Sequence, residues 1–195
     1  MAILRDEVSK RGWDKLIYHD PEFVLRKQRE LQILVAQSGL DTKVKNLRTQ
    51  KLKKHLEGRQ AALFCHGLKN VVGEKVHFTL EEAQDYDIVT IFAKDGEQIY
   101  TPVQLKEIVP KTLNQKADFN SLIQSLAKKY VVSKELVVAV HWNQAGQFNV
   151  SELSIPKLNI SELWVYGSGT PNQSKWFLIG NLLETPKYYE FDYPT

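Results

Sequence analysis

The chain has 195 residues, of which 43% are hydrophobic and 25% charged, values typical of one globular domain and atypical of disorder. Its longest apolar runs, such as residues 136–140, are shorter than the roughly 20 residues of a membrane-spanning helix, and its N-terminus has no apolar signal region. The single cysteine, Cys65, excludes an internal disulfide and is expected to be a small buried hydrophobe. We therefore expect a cytoplasmic protein that folds as one domain over residues 1–195 and has no membrane partner.

Basic residues are concentrated in the first third of the chain. Residues 1–60 contain 14 Lys and Arg against 8 Asp and Glu, whereas residues 145–195 contain 3 against 5, and the net charge of the whole chain is +3. Six basic residues fall within twelve positions that contain no acid: Lys43, Lys45, Arg48, Lys51, Lys53 and Lys54. Clustered positive charge binds phosphates, so this segment is a candidate nucleic-acid-binding patch. A solvated helix face would give the same pattern.

Two helices are predicted in this basic third of the chain. Asp20 is suited to cap the first of them, because Pro21 follows at the first helical position and Glu22 lies in the favourable first turn. This helix is expected to run to about residue 38. A second, longer helix is predicted over residues 43–69, with a basic first half and an apolar second half.

Three strands are predicted next. Residues 75–80 and 87–93 are rich in β-branched and aromatic side chains, which favour strands. Asp95-Gly96 is a strong signal for a tight turn, and residues 99–109 return as the third strand. The second and third strands therefore form a predicted hairpin.

An amphipathic helix and a buried strand follow the hairpin. Apolar residues recur with helical spacing at positions 119, 122, 123 and 126, and Asp118 is suited to cap the helix. The continuous apolar run 136–141 predicts a strand buried on both faces of a partly parallel sheet. Two further apolar runs, 163–166 and 176–179, flank a glycine-containing turn and predict a second hairpin.

The predicted tight turn determines which residues of the first hairpin face each other. If Asp95 and Gly96 are the central residues of the turn, Lys94 pairs with Glu97 and the numbers of opposed residues add to 191. One face of the hairpin then carries a largely apolar set that is suited to the core: Tyr86, Ile88, Thr90, Phe92, Ile99, Thr101, Val103 and Leu105.

The opposite face of the hairpin gathers polar side chains. The same register places Asp87 opposite Gln104 and Asp85 opposite Lys106. Pro102 cannot donate a hydrogen bond to the ladder, so it indicates an edge position or a bulge, and a bulge would shift this register. Asp87, Gln104 and Lys106 are therefore the candidate functional group of the chain.

These three residue types suit metal-dependent phosphate chemistry. A hard divalent ion such as Mg²⁺ or Mn²⁺ accepts carboxylate and amide oxygens, so Asp87 and Gln104 are candidate metal ligands. Lys106 would stand beside the ion, where it could hold the attacking water or stabilise negative charge on a phosphate transition state.

This arrangement resembles the PD-(D/E)XK nuclease superfamily, whose core is an α-β-β-β-α-β unit with Asp on one hairpin strand and acid-x-Lys on the next. Asp87 matches the metal-binding Asp of the family, and Gln104-Leu105-Lys106 matches acid-x-Lys. Tyr86 stands where the family often has Pro, and Gln104 stands where it usually has Asp or Glu. The resemblance further implies that Glu57, on the candidate first core helix, assists at the metal.

The resemblance implies a restriction-endonuclease-like α/β fold with a mixed sheet. Residues 1–42 would be a helical extension, residues 43–142 the nuclease-like core, and residues 143–195 a β-rich extension with an extra hairpin. The implied function is a Mg²⁺-dependent endonuclease acting on DNA, with a second copy of the chain as a further candidate partner.

Other functions remain open at this stage. One alternative is that Asp87 and Gln104 form a solvent-facing hydrogen-bonded pair and that Asp85 and Lys106 form a surface ion pair of small energetic value. The second hypothesis is a catalytically inactive module on the same fold that binds nucleic acid or a protein partner. A third is an α/β interaction protein whose acids are surface features. His66 and His141 are weaker candidates as catalytic bases, because a lone histidine at the end of an element is usually structural.

Overall fold

Seven β-strands form one mixed sheet in the computed structural model, which describes residues 5–39, 52–80, 86–146 and 148–195. The strands lie side by side in chain order, with β3, β4 and β5 parallel in the centre and antiparallel pairs on both sides. Their bounds are β1 His77–Phe78, β2 Ile88–Lys94, β3 Glu97–Ile108, β4 Ser133–Trp142, β5 Ile160–Ser168, β6 Lys175–Gly180 and β7 Lys187–Asp192. The predicted mixed α/β architecture is confirmed at this level.

Four α-helices accompany the sheet within the described residues: α1 Arg5–Arg11, α2 Pro21–Ala36, α3 Lys53–Val72 and α4 Phe119–Lys129. The Asp20 carboxylate caps α2 by accepting from the backbone N–H groups of Glu22 and Phe23, at 2.8 and 3.2 Å. Asp118 caps α4 in the same way. Both predicted caps are confirmed, while the first part of the helix predicted over 43–69 lies outside the described residues. None of the described helices has the length and hydrophobicity that crossing a bilayer requires.

The first hairpin has the predicted register. Lys94 pairs with Glu97, and the ladder continues to the pair of Ile88 and Val103. Asp95 and Gly96 both have positive φ, 52° and 81°, which is the backbone geometry of a type I′ turn.

Pro102 lies within this ladder opposite Val89 without displacing the register. Of the two expected arrangements, a bulge is therefore absent at Pro102, and a local edge position is present. On the other side of β3, pairing with β4 begins one residue later, at Val103. Proline, which has no N–H group, is tolerated here because no residue of β4 pairs with Pro102.

The sheet buries a separate core on each face. Successive residues of β3 alternate between them, so that Val103 and Leu105 pack under α3 while Ile108 packs under α4. The centre of α3 is buried on all sides, since α2 packs on it from outside. A third cluster on the α4 face joins α1 to the hairpin and contains Val8, Trp13, Val89 and Tyr100.

Tyr86 does not lie where the hairpin register predicted. The ladder ends at Ile88, and the backbone N–H of Asp87 donates to Val103 O at 3.0 Å. The regular alternation of side chains between the two faces of the sheet therefore does not extend to Tyr86. Tyr86 therefore packs on the α4 face, where Trp13 Nε1 donates to its hydroxyl at 2.7 Å. The predicted strand 75–80 is also shorter, because only His77 and Phe78 pair with β2.

The C-terminal hairpin is confirmed, and the chain after it adds a further strand. β5 and β6 pair from Val165 with Ile179 to Ser168 with Trp176. Residues after Pro186, whose structure the sequence pattern left open, pair with β6 as β7. Phe191 of β7 enters the core under α3.

Two glycines of α3 provide a matched test of this packing. A Cβ on Gly67 would lie 2.7 Å from the Phe191 ring, whereas a Cβ on Gly58 would make only ordinary contacts, the shortest being 3.6 Å to Leu80. We expect Gly67→Ala to lower the free energy of unfolding by about 1–3 kcal/mol through overpacking. Gly58→Ala should raise it by about 0.5–1 kcal/mol through helix propensity. Urea unfolding of both variants measures the difference, and equal effects would contradict the described packing.

Candidate active site

Asp87 and Gln104 meet where β2 begins beside the middle of β3. Asp87 Oδ2 accepts a hydrogen bond from the backbone N–H of Leu105 at 2.7 Å and another from the side-chain amide of Gln104. Gln104 is buried, and Asp87 is partly exposed. The two residues are thus hydrogen-bonded, as the alternative interpretation expected, but Gln104 does not face solvent.

Tyr130 completes this group from the C-terminal end of α4. Its buried hydroxyl donates to Gln104 Oε1 at 2.7 Å. A continuous chain of hydrogen bonds therefore runs from Tyr130 through Gln104 to Asp87. The sequence gives no sign of this contact, because nothing in the local pattern around Tyr130 connects it to β3.

Lys106 lies two residues beyond Gln104 and on the same face of β3. Its side chain is half-buried, and this burial lowers the pKa of the ammonium group below its ordinary value. The negative charge of Asp87 opposes that shift, while the positive charge of Lys129 adds to it. Lys106 is therefore close enough to both groups to interact with them electrostatically.

Aromatic side chains bound the site on the side of the N-terminal segment. Tyr86 immediately precedes Asp87 and packs against both clusters on the α4 face. Its ring meets the ring of Trp13 edge to face, with centroids 5.7 Å apart. The residue before Asp87 thus contacts the Trp13 segment, and the hydrogen-bond partner of Asp87, Gln104, contacts the C-terminal end of α4.

The donor set determines how a cation could fit between Asp87 and Gln104. A carboxylate only accepts hydrogen bonds, so Gln104 now presents its NH₂ group to Asp87. A cation between the two would require the amide to turn over and present Oε1 instead. Tyr130 permits either orientation, because a hydroxyl can donate to an amide oxygen or accept from an amide NH₂. In the turned orientation the pair would present one carboxylate and one amide oxygen, which are ligand types that Mg²⁺ and Mn²⁺ accept.

Glu57 lies away from this pair. It belongs to α3, which packs on the opposite face of the sheet. Its Oε1 forms an ion pair with Lys53 Nζ at 3.0 Å. Neighbouring Gly58 lies near Leu80, just after β1. No contact in the described residues joins Glu57 to Asp87 or Gln104, and these residues include no cluster of three or more His, Cys, Asp or Glu arranged for a metal. A role for Glu57 at the metal stays a prediction.

The candidate phosphate-binding patch is described only in part. Lys43, Lys45, Arg48 and Lys51 lie outside the described residues. Lys53 and Lys54 are exposed in the first turn of α3, where Lys53 is paired with Glu57. Binding of nucleic acid by this segment stays a prediction.

The two histidines singled out in the sequence pack among aromatic residues. His66 Nε2 lies 3.1 Å from Asp192 O, and its ring meets Phe191 edge to face. The buried ring of His141 stacks on Tyr166 with centroids 5.2 Å apart. Cys65 is fully buried, as expected, and burial raises the pKa of its thiol.

No protein-family model matches the chain, and no match was found among curated proteins or among solved structures. The functional argument therefore rests on the geometry of the described residues.

Proposed function

We propose that this chain is a metal-dependent phosphodiesterase that cleaves DNA, with Asp87, Gln104 and Lys106 as its active-site residues. The observation that carries the proposal is their convergence: the Asp87 carboxylate, just before β2, contacts the amide of Gln104 and interacts with the half-buried ammonium group of Lys106, both on one face of β3. The order α3-β1-β2-β3-α4-β4 is also that of the α-β-β-β-α-β core of PD-(D/E)XK nucleases. A restriction-endonuclease-like core is accordingly part of the proposal.

Each residue has a distinct role in this function. Asp87 and Gln104 hold the divalent ion, and Leu105 N–H keeps the Asp87 carboxylate in place. When bound, such an ion supplies Lewis-acid activation of the phosphate and a more acidic water. Lys106 stabilises the negative charge that develops on the phosphate, and its partial burial strengthens that interaction because less water screens it.

A non-catalytic module is the second candidate, and one specific observation favours it. The chain of hydrogen bonds from Tyr130 to Asp87 satisfies these groups by protein contacts alone. On this view the same face of the hairpin binds nucleic acid or a protein partner without cleaving it. Metal binding separates the two candidates, because only the first requires it.

The decisive experiment is cleavage of plasmid and single-stranded DNA with Mg²⁺ or Mn²⁺, with and without EDTA, together with calorimetric titration of the metal. We expect cleavage that EDTA abolishes and metal binding that does not depend on DNA. The absence of both cleavage and metal binding would replace this proposal with the non-catalytic module.

Gln104→Glu should strengthen metal binding by about tenfold, or roughly 1.4 kcal/mol, because it adds a second carboxylate. Without metal, the two carboxylates would repel each other, so the variant should be less stable than wild type at neutral pH and should recover on adding Mg²⁺. Thermal unfolding with and without Mg²⁺ measures both effects.

Gln124→Glu is a matched control, since this residue of α4 is exposed. It should change neither property. A Gln104→Glu variant with no greater response to Mg²⁺ than the Gln124→Glu variant would remove Gln104 from the metal site.

A further inference from the structure

Arg59 of α3 is a partly buried cation, with a buried Nε, for which the described residues provide no acidic partner. Its guanidinium donates to Gln173 Oε1 and lies 5.9 Å from the ring centroid of Trp176. Its Nε is buried without a hydrogen-bond partner. Burial lowers the pKa of Arg59. Its partners, Gln173 and the Tyr193 hydroxyl, are neutral, and a partly buried charge without a counter-ion is unfavourable, so an anion beside Arg59 would be stabilising.

A second arginine increases the excess of positive charge. Arg29 of α2 lies 4.5 Å above the Tyr193 ring, and its only hydrogen bonds in the described structure are long ones, 3.5 Å to Asn172 O and 3.4 Å to Gln173 O. Neither arginine forms an ion pair with a described acid. The positive charge of Arg29 is also close enough to oppose that of Arg59.

The loop between β5 and β6 connects the two guanidinium groups. Gln173 accepts from Arg59 through its side chain and from Arg29 through its backbone carbonyl. Its φ of 58° is in the left-handed region, which non-glycine residues rarely adopt. Strained backbone of this kind often accompanies binding sites. An anion would replace the Gln173 side-chain oxygen as the acceptor for Arg59.

A groove of about 340 Å³ opens beside this loop. Arg29, Gln32, Asn172 and Gln173 provide its polar lining, and no acidic residue lines it. The groove therefore offers amide donors and the positive charge of Arg29 to a ligand from solvent. Arg59 does not line the groove, and its guanidinium contacts the side chain of Gln173, which does.

We propose that Arg29, Arg59 and Gln173 form a binding site for a dianionic phosphoryl group, separate from Asp87. Two charges on the ligand match the two guanidinium groups, whereas a carboxylate would neutralise only one. The planar guanidinium also presents pairs of N–H donors that match the oxygen spacing of phosphate. The phosphoryl group belongs either to free phosphate or to the end of a nucleic-acid strand.

Thermal unfolding with inorganic phosphate, at an ionic strength kept constant with chloride, tests the site. We expect millimolar phosphate to raise the unfolding temperature of the wild type by about 3 °C or more. Arg29→Met should lose this shift. Gln173→Glu should also lose it, because the new carboxylate would be an internal counter-ion for Arg59. Arg26→Met is the matched control on the exposed side of α2 and should retain the shift.

No shift in the wild type, or equal shifts in wild type, Arg29→Met and Gln173→Glu, would overturn the proposal. Asp87→Asn should retain the phosphate response, so the result does not depend on nuclease activity. If phosphate gives the expected shift, two oligonucleotides identify the source of the phosphoryl group. A 5′-phosphorylated oligonucleotide that raises the unfolding temperature more than its 5′-hydroxyl counterpart assigns the site to a strand end. Equal effects of the two oligonucleotides assign it to free phosphate.

Discussion

Asp87→Asn should lower the rate of metal-dependent DNA cleavage by at least about a thousandfold, which corresponds to roughly 4 kcal/mol of transition-state stabilisation. The substitution removes the only carboxylate that the described part of the chain places in hydrogen-bond contact with Gln104. A hard divalent ion binds a neutral amide oxygen much less strongly than a carboxylate oxygen. Metal affinity and cleavage should therefore fall together.

The fold should survive this substitution. The asparagine side chain retains one carbonyl oxygen that can accept from Leu105 N–H, replacing the present 2.7 Å bond of Asp87 Oδ2. The same oxygen can also accept from the Gln104 NH₂ group, because both hydrogen bonds now end on Asp87 Oδ2, and the new NH₂ group takes the place of Oδ1. Circular dichroism and thermal unfolding should therefore remain close to those of the wild type.

Glu184→Gln is the control for loss of one negative charge, since Glu184 is exposed. It should cleave DNA like the wild type. Undiminished cleavage by Asp87→Asn, measured on the same plasmid preparation, would exclude Asp87 as a metal ligand and require another site.

The second large effect is expected at Lys106. Lys106→Met keeps the half-buried aliphatic stem and removes the ammonium group, and we expect cleavage to fall by about a hundredfold to a thousandfold. Metal affinity should be unchanged or slightly greater, because Lys106 acts on the phosphate and repels the cation. Single-turnover cleavage and calorimetric metal titration separate these two quantities.

The pH dependence of cleavage distinguishes the two roles available to Lys106. Burial lowers its pKa, so the ammonium should lose its proton at a lower pH than an exposed lysine does. If the protonated form stabilises the phosphate, cleavage should fall as the pH rises through this lowered pKa. Lys106→Arg should move that loss to higher pH, because a guanidinium keeps its proton.

The same shift predicts how stability varies with pH. The folded state holds the Lys106 proton less tightly than the unfolded state, so this residue should make the protein more stable as pH rises from its lowered pKa to the ordinary lysine value. Exposed Lys116 is the matched control, and Lys116→Met should alter neither the pH profile nor the rate. Equal losses in both variants would show that cleavage responds only to overall charge.

Much of the candidate site could be predicted because it belongs to one local hairpin. Asp95-Gly96 determined the turn, and the turn determined the register as far as Ile88 and Val103. Alternation along the strands predicted Asp87 opposite Gln104, and the two residues do meet, through a hydrogen bond between their side chains. The predicted alternation of side chains does not extend to Tyr86, because the ladder ends at Ile88. A backbone hydrogen bond from Asp87 to Val103 decides that change, and no sequence pattern signals it.

The sequence by itself determined the type and order of the principal elements, the caps of α2 and α4, and the faces of the hairpin, because turns, caps and periodicity depend on residues close together in the chain. Only the tertiary structure decided which distant groups meet. It brought Tyr130 to Gln104, placed Glu57 on the opposite face of the sheet from Asp87, and joined Arg29 to Arg59 beside the loop of Gln173. These contacts join residues far apart in sequence, and they arise from how helices pack on a twisted sheet, which local patterns do not encode.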